Sequence, residues 1–558
     1  MTQYLGLKKL NCTNCHKCIR FCPVKAISYE AGQANVLPDE CVLCGQCLVN
    51  CPQHAKAVRQ DALDAEALLS AGAPVYVSLA PSYAAALPNV DLEALRAALT
   101  GLGFAGVEET AMGAAVVRRE YERMVAENRQ RVIISSCCHS VNLMVQKYFP
   151  EAMSALAKVV SPMLAHGAAI KRRNPGAKVV FIGPCISKKA EAESYPGAID
   201  CVLTFEELTH LFESRGVALP QGEPVRTGRK SGLFPLAGGI VETMERPEGN
   251  GWEYLVIDGT DNCMAALKDV SEGKLERCFI EMSACTGSCI NGPAMGKTAM
   301  PLQDALAVRR RVGEGEYEAD QPDTKALAKP MIYISCRRPR PGNTAITETL
   351  SKMGKTKPEH MLNCGSCGYE TCREKAEAIL LGKAEFSMCL PYLMQKAKSL
   401  SDSIIHNTPN GIIVFDRTLE IRQINKAACH ILNVEDENDV MGRQAVCILD
   451  PAPLMKGAVE GKGLHERRMW LAEYQRWVVM TAVLERDNDI IICILRDVTR
   501  EETTRTRREE LGQKAIEITD QVIEKHMRTV QEIASLLGET TADTQVALTH
   551  LKESLHHE

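Results

Sequence analysis

A multidomain α/β protein is the fold class this sequence predicts, and three observations carry it. At 558 residues the chain is too long for one hydrophobic core, and about 150 residues per domain suggests roughly three to five units. Between residues 75 and 300, short β-branched runs alternate with helical stretches, the pattern of a parallel sheet covered by helices. The Pro/Gly stretch RRPRPGN, Arg337 to Asn343, then punctuates the chain, and from about Ser401 the texture changes to a small mixed domain without clustered cysteine. Composition is that of an ordinary soluble globular protein, 45% hydrophobic and 24% charged, and a net charge of −5 asks for neither nucleic acid nor an anionic membrane. No uninterrupted apolar stretch approaches the roughly 20 residues of a membrane span. The first residues, MTQYLGLKKLNC, hold no apolar signal core and no twin arginine, so a cytoplasmic location is expected.

Cysteine is the exception to this ordinary composition, with 24 in the chain. In a secreted protein they would suggest disulfides; in a long cytosolic chain with Cys-x-x-Cys clusters they point to metal. Eight fall within the first 60 residues in two matching runs. CTNCHKCIRFCP places Cys12, Cys15, Cys18 and Cys22 before Pro23, and CVLCGQCLVNCP places Cys41, Cys44, Cys47 and Cys51 before Pro52. Cys-x2-Cys-x2-Cys-x3-Cys-Pro is the bacterial ferredoxin run, whose fourth cysteine ligates the other cluster. One 4Fe–4S cluster is therefore expected on Cys12, Cys15, Cys18 and Cys51, and another on Cys41, Cys44, Cys47 and Cys22. Zinc ribbons favour separated Cys-x-x-Cys pairs instead. Residues 1–62 read as a ferredoxin-type domain that carries electrons.

Residues 63–340 make the central domain. Four strand-like runs each end in a chemically loaded tip: VYVSL before Ala80-Pro81-Ser82, RVII before Ser136-Cys137-Cys138, KVVFI before Gly183-Pro184-Cys185, and CFIEM before the segment from Cys285 to Cys289. In an open parallel sheet ligands collect beyond the carboxyl ends of the strands, so these tips are expected to surround one buried cofactor. A lone buried cysteine is usually core packing, and Cys201, Cys263, Cys278 and Cys336 are read that way.

SSCCH, GPCISKKAE and EMSACTGSCINGP resemble the three signature loops of the FeFe-hydrogenase large subunit. With the ferredoxin segment, the resemblance covers roughly residues 1 to 300. It implies an H-cluster, a 4Fe–4S cubane bridged by a cysteine to a diiron unit with CO and cyanide ligands. On that likeness the cubane ligands are Cys138, Cys185, Cys285 and Cys289, with Cys289 the bridge. Lys188 and Ser82 match the family's donors to the iron-bound cyanides, which a dry pocket needs because an unpaired buried charge is expensive. Cys137 stands where the family keeps a thiol that passes protons to and from the cofactor, a role a thiol suits because it both gives and accepts a proton.

Several positions depart from the family pattern. The proline after the cysteine pair is His139; methionines before two ligand cysteines are Gly183 and Ser283; the glycine-rich end of the third loop is Asn291-Gly292-Pro293. The proton-path glutamate expected before the first loop falls around Gly113 and Ala114, and a path serine falls at Ala157. The cradle is kept while the usual proton path is interrupted, and His139 could either substitute as a relay or simply cap the strand end. This set of changes is similar to the sensory, PAS-containing FeFe-hydrogenases.

CGSCGYETC followed by Cys389 and Pro391 gives a third set, Cys364, Cys367, Cys372 and Cys389, within residues 341–395. It resembles the short 4Fe–4S domain of several redox enzymes, with zinc the competing reading. Residues 396–498 resemble a PAS domain: a strand GIIVFD, a second strand LEIRQIN, short helices, and a closing strand IIICILRDVT. Cys429, His430, Cys447 and Cys493 lie within it and are read as packing. The tail, 499–558, repeats Ile516, Ile523, Val530 and Leu537 at heptad intervals, with Met527 and Ala534 alongside. A turn at Gly538 to Thr541 could fold back a second helix carrying Leu548, Leu551 and Leu555, giving a homodimerising or partner-docking helical pair, with a helix packed on its own PAS domain the alternative.

Three functions fit these motifs. One is an H2-sensing FeFe-hydrogenase of low turnover, an oxidoreductase cleaving H2 heterolytically and reversibly. Its redox state would pass through three 4Fe–4S clusters and the H-cluster to PAS and the helices, and on to a separate signalling protein such as a kinase or phosphatase. The second is a catalytic, ferredoxin-linked FeFe-hydrogenase. The third is an iron–sulfur scaffold without the diiron unit, against which Lys188 and Ser82 count, because a bare cubane needs no cyanide donors.

Overall fold

The computed structural model describes residues 4–219, 226, 229–247, 249–296, 300–318, 321–336, 338–455, 464–485 and 489–554, which divide into two compact units at Leu393 and Met394. Arg337 of the expected linker and Leu555 of the tail lie outside the described residues. No described helix is long and apolar enough to cross a membrane.

The first unit begins with two similar halves. Strand β1 (Leu5–Leu7) pairs antiparallel with β4 (Lys56–Val58), and β2 (Ile27–Glu30) with β3 (Gln33–Val36). Each cysteine run is a loop ending in one helical turn, Lys17–Arg20 and Gln46–Val49, so the third cysteine of each run sits on a turn and the fourth just after it.

The central region is parallel α/β, but its strands form two sheets where the sequence suggested one. Strands β5 (Val75–Leu79), β6 (Gly106–Glu109), β8 (Lys178–Gly183) and β9 (Cys201–Thr204) make one, in the order β6-β5-β8-β9. Strands β7 (Val132–Ile134), β10 (Glu253–Asp258) and β11 (Cys278–Ser283) make the other, in the order β10-β11-β7. β7, β9 and β11 are buried at every residue, as parallel strands covered on both faces must be, which is why they read as unbroken apolar runs rather than as alternations. The four loaded tips therefore come in pairs, two from each sheet. Helices α1 (Ala111–Glu127), α2 (His139–Tyr148) and α3 (Pro162–Arg173) follow β6, the Cys137-Cys138 tip and Ser161. Gly113 lets α1 and α3 approach closely: a Cβ there would lie 2.2 Å from the Pro162 carbonyl oxygen and 2.8 Å from His166 Cβ.

The third cysteine set docks on the ferredoxin-type segment. Helix α4 (Cys372–Leu380), capped by Thr371, packs Cys372 and Ala376 against Ile346 and Leu350. Arg20 donates to the Gly365 carbonyl at 2.9 Å, Lys25 Nζ to that of Gly368 at 3.2 Å, and the Tyr29 N–H to that of Lys383 at 2.8 Å, while Lys383 also pairs with Glu40.

In the second unit, β12 (Gly411–Asp416), β13 (Ile421–Ile424), β14 (Leu464–Leu471), β15 (Arg476–Glu485) and β16 (Ile490–Asp497) form an antiparallel sheet in the order β13-β12-β16-β15-β14. β12 and β16 alternate buried and half-buried residues, the period of a sheet covered on one face. Buried Asn425 ties the domain start together: its Oδ1 accepts from the Ile412 and Ala428 N–H groups, and its Nδ2 donates to the Ile405 and Asn410 carbonyls. The tail corrects the sequence expectation, because helix α5 runs unbroken from Thr499 to Ser554 and no turn forms at Gly538 to Thr541. A glycine ends a helix by turning left-handed at its C-terminus, and Gly538 does not adopt a positive φ. Within a helix it costs only about 1 kcal/mol relative to alanine, which a helix of this length absorbs.

Candidate functional site: a cysteine cradle and its feeding clusters

The crossed cysteine pattern is present in space. The Cys18 thiol lies within electrostatic range of Cys12, Cys51 and Cys15, and the Cys44 thiol within range of Cys22, Cys41 and Cys47. Each fourth cysteine thus stands with the run that does not contain it. Burial pushes the Cys47 thiol up to about 12, with Cys41 and Cys22 adding to the shift, so these pockets disfavour bare thiolates and suit a cation that supplies the missing charge. Among the described residues no three His, Cys, Asp or Glu side chains close in on a single metal ion, whereas zinc thiolates would all lie about 2.3 Å from one point.

Gly45 carries the second run onto the central domain. Its φ of 76° is left-handed, and a Cβ there would lie 2.4 Å from Pro293 Cβ, so only glycine fits. Around it, Ser140 Oγ donates to the Leu43 carbonyl, Lys147 Nζ to that of Cys41 and the Tyr148 hydroxyl to that of Glu40, stitching this run along α2. Cys44 reaches the neighbourhood of Cys285 as a result.

The strand tips converge as expected. Cys285 has Cys185, Cys138 and Cys289 around it, and Cys289 has Cys185, Cys138 and Lys188. These four cysteines line a largely apolar cavity of about 120 Å³, together with Cys44, Cys137, Ser82 and Lys188. The Ser82 hydroxyl is buried and makes no hydrogen bond among the described residues. Lys188 Nζ donates to the Cys137 carbonyl at 3.0 Å and to Glu191, which uses two of its three ammonium protons, and its side chain lines the cavity. An orphaned hydroxyl and an ammonium group lining one apolar pocket are what anionic ligands would satisfy, so these residues fit the H-cluster implied by the resemblance.

Cys137 and Cys138 part company here. Cys138 lies near the other three cysteines, whereas Cys137 Sγ lies 3.2 Å from the Tyr121 hydroxyl, and burial pushes this thiol up to about 12. His139 opens α2, buried with neither ring nitrogen hydrogen-bonded among the described residues, and burial drives it down to about 3. Ala114 lines the cavity at the expected glutamate position, and Ala157 is core, so the residues expected to interrupt the usual path stand without a polar group.

Three residues escaped sequence reading. Glu191 is wholly buried between Lys188 and Lys329; burial alone would raise its carboxyl, but the two ammonium groups hold it well below the usual range. Its place one turn after Lys188 was the available signal. Lys329 and Tyr121 come from distant segments and left none. Cys263, read as core, is buried and donates to the Ser283 carbonyl, with Cys138 nearby. In the third set, Cys367 has Cys389 and Cys364 near it, while Cys372 opens α4, whose buried Lys375 feels Cys367 and Cys389.

Grouped thiols of this kind, in the Cys-x2-Cys-x2-Cys-x3-Cys-Pro spacing, are those of iron–sulfur proteins. Residues 73–293 match the model of the family described as iron only hydrogenase large subunit, C-terminal domain. Residues 5–52 match a 4Fe-4S dicluster domain, 361–391 an Fe-S cluster family and 400–463 a PAS domain. Over 370 residues the chain is 27% identical to the periplasmic Fe hydrogenase large subunit of Nitratidesulfovibrio vulgaris, covering 53% of this chain and 87% of that one. It is 25% identical over 338 residues to the NADP-reducing hydrogenase subunit HndD of Solidesulfovibrio fructosivorans, covering 48% and 58% respectively. Among solved structures, FeFe-hydrogenase HydA1 from Chlamydomonas reinhardtii superposes with a TM-score of 0.40 at 16% identity, over 50% of this chain and 100% of that one. The chain is an FeFe-hydrogenase-like iron–sulfur protein.

Proposed function

We propose that the chain is an H2-sensing FeFe-hydrogenase of low turnover, with 4Fe–4S clusters on the three cysteine sets and an H-cluster on Cys138, Cys185, Cys285 and Cys289. One observation carries the reading: the unpartnered Ser82 hydroxyl and the Lys188 side chain lining the cavity that those cysteines line. When bound, the diiron unit supplies reversible heterolytic cleavage of H2. The residues hold and shield it. Ser82 and Lys188 donate to its anionic ligands, Glu191 and Lys329 fix the Lys188 ammonium, and the apolar wall excludes water. Cys137 Sγ accepts or returns the proton at the cavity face. Cys44 and Cys285, which lie near each other, would hold the facing sides of two clusters, and electron transfer is the chemistry those clusters, the Cys12 cluster and the third set would supply when bound. Low turnover follows from Gly113, Ala114 and Ala157 standing where the usual proton path needs polar groups. The PAS unit and α5 read the redox state as a homodimer in the cytoplasm and pass it to a separate output protein, with ferredoxin or a similar carrier as redox partner.

Docking of the third cysteine set on the N-terminal pair favours one second reading, a ferredoxin-linked catalyst with an added electron inlet. Hydrogen exchange on residues 394–554 of the matured protein, with and without H2, separates the two. A changed pattern that disappears when Cys364, Cys367, Cys372 and Cys389 are replaced supports sensing. An identical pattern, with high turnover, gives the catalytic reading first place.

A further inference from the structure

Cys137 needs a route to solvent, and its own hydrogen-bond chain does not provide one. Cys137 Sγ contacts the Tyr121 hydroxyl, which contacts Ser136 Oγ at 3.1 Å, which donates to the Val159 carbonyl at 2.7 Å. A carbonyl cannot pass a proton on, so that branch ends in the core.

A second chain of polar groups leaves the same cavity and does reach the surface. Thr110 lines the cavity wall, and its Oγ1 lies 2.8 Å from Ser78 Oγ. Ser78 Oγ lies 2.8 Å from His166 Nδ1, and His166 Nε2 lies 3.2 Å from Glu108 Oε2. Glu108 pairs with Arg173, whose side chain is 48% exposed, and His166 and Arg173 both line an outer cavity of about 430 Å³. Ser78 and His166 are fully buried, so the chain crosses the protein interior without a break. Gly113 makes room for it, because any side chain at 113 would meet the Pro162 carbonyl and His166 itself.

We propose that Thr110, Ser78, His166 and Glu108 form a proton conduit between the cofactor cavity and the surface, in place of the path that Gly113, Ala114 and Ala157 lack. It rests on the hydrogenase reading for its purpose, although the hydrogen bonds stand without it. In the outward direction, a proton taken up at Thr110 Oγ1 displaces the hydroxyl's own proton to Ser78 Oγ, which releases its proton to His166 Nδ1. The ring then gives up its Nε2 proton to the Glu108 carboxylate, which passes it to water, and the cycle closes when the hydroxyls rotate back and His166 returns from its Nδ1–H to its Nε2–H tautomer. No electron moves and no bond other than O–H and N–H changes. Burial raises the Glu108 carboxyl but its hydrogen bonds to His166 and Arg173 outweigh it, so Glu108 is ionised and holds an arriving proton only until water takes it. Burial keeps His166 neutral at rest, with one nitrogen to accept and the other to donate.

The test is infrared exchange of the Cys137 S–H in D2O, in the matured protein, with the band assigned by its loss in Cys137→Ser. Thr110→Val removes one hydroxyl at constant shape, Thr110→Ser restores it, and His166→Leu breaks the middle of the chain. Exchange should slow at least about tenfold in Thr110→Val and His166→Leu and recover in Thr110→Ser, with CO and cyanide bands unchanged. Wild-type exchange rates in Thr110→Val would overturn the conduit. Should His166→Leu fail to fold, the Thr110 pair decides alone. Missing CO and cyanide bands in the wild type would sink the hydrogenase reading instead, while the S–H exchange would still report on the conduit.

Discussion

Gly45 and Pro293 pack so closely that a single added methyl would place their Cβ atoms 2.4 Å apart. This contact presses the second cysteine run of the ferredoxin-type segment against the last cysteine loop of the cradle. It joins the electron-carrying part of the chain to the part that holds the cofactor.

Gly45→Ala should therefore separate the two. The left-handed backbone at residue 45 alone costs a non-glycine residue about 1–3 kcal/mol, before the clash with Pro293 is counted. The expected outcome is a lower thermal midpoint, near-normal iron content, and slowed electron transfer between the N-terminal clusters and the cradle by freeze-quench EPR. Unchanged transfer would show that the contact is dispensable.

Cys137→Ala should leave the H-cluster bound and remove most H2 activity, whereas Cys138→Ala should lose the cofactor. Cys138 lies near the other three cradle cysteines, while the Cys137 thiol contacts Tyr121. Iron analysis paired with H2 assays reads both effects. An empty site in Cys137→Ala would mean the two roles are reversed.

Glu191→Gln should destabilise the central domain by about 3–5 kcal/mol, since it leaves Lys188 and Lys329 charged, buried and unpaired. The folded-state carboxyl is depressed, so its contribution is present above an unfolded pKa of about 4.3 and is lost as pH falls. The variant should accordingly lose less stability than the wild type when both are titrated from pH 7 to pH 3 by urea unfolding. Parallel pH profiles would contradict the ion-pair account.

Val530→Asp should convert a dimer to a monomer. Ile516, Ile523, Val530 and Leu537 are all more than half exposed on α5, and β-branched residues at such heptad positions favour two strands. Sedimentation velocity measures the change. A monomeric wild type would remove the second copy as the partner of this stripe.

The cysteine runs were legible because they come in short, local spacings, and the thiols of Cys51 and Cys18, and of Cys22 and Cys44, do lie near each other as that spacing suggested. The strand tips were legible because buried parallel strands leave apolar runs. What sequence could not show is held by distant contacts. Thr110 to Ser78, Ser78 to His166 and His166 to Glu108 span 32, 88 and 58 residues, and none of these residues belongs to a local motif. The docking of residues 364 to 385 on residues 20 to 31 is longer-ranged still, with a separation of 345 between Arg20 and Gly365. The turn expected at Gly538 was wrong for a different reason: glycine permits a helix stop without requiring one.

Infrared spectroscopy of the matured protein tests the central claim most directly, because CO and cyanide absorb where protein does not. The account predicts CO and cyanide bands, with the cyanide bands shifted in Ser82→Ala and in Lys188→Met while the iron content of the N-terminal clusters stays unchanged. A matured protein with full iron–sulfur content and no such bands would contradict it, and would leave an iron–sulfur scaffold with a cavity built for a group it does not hold.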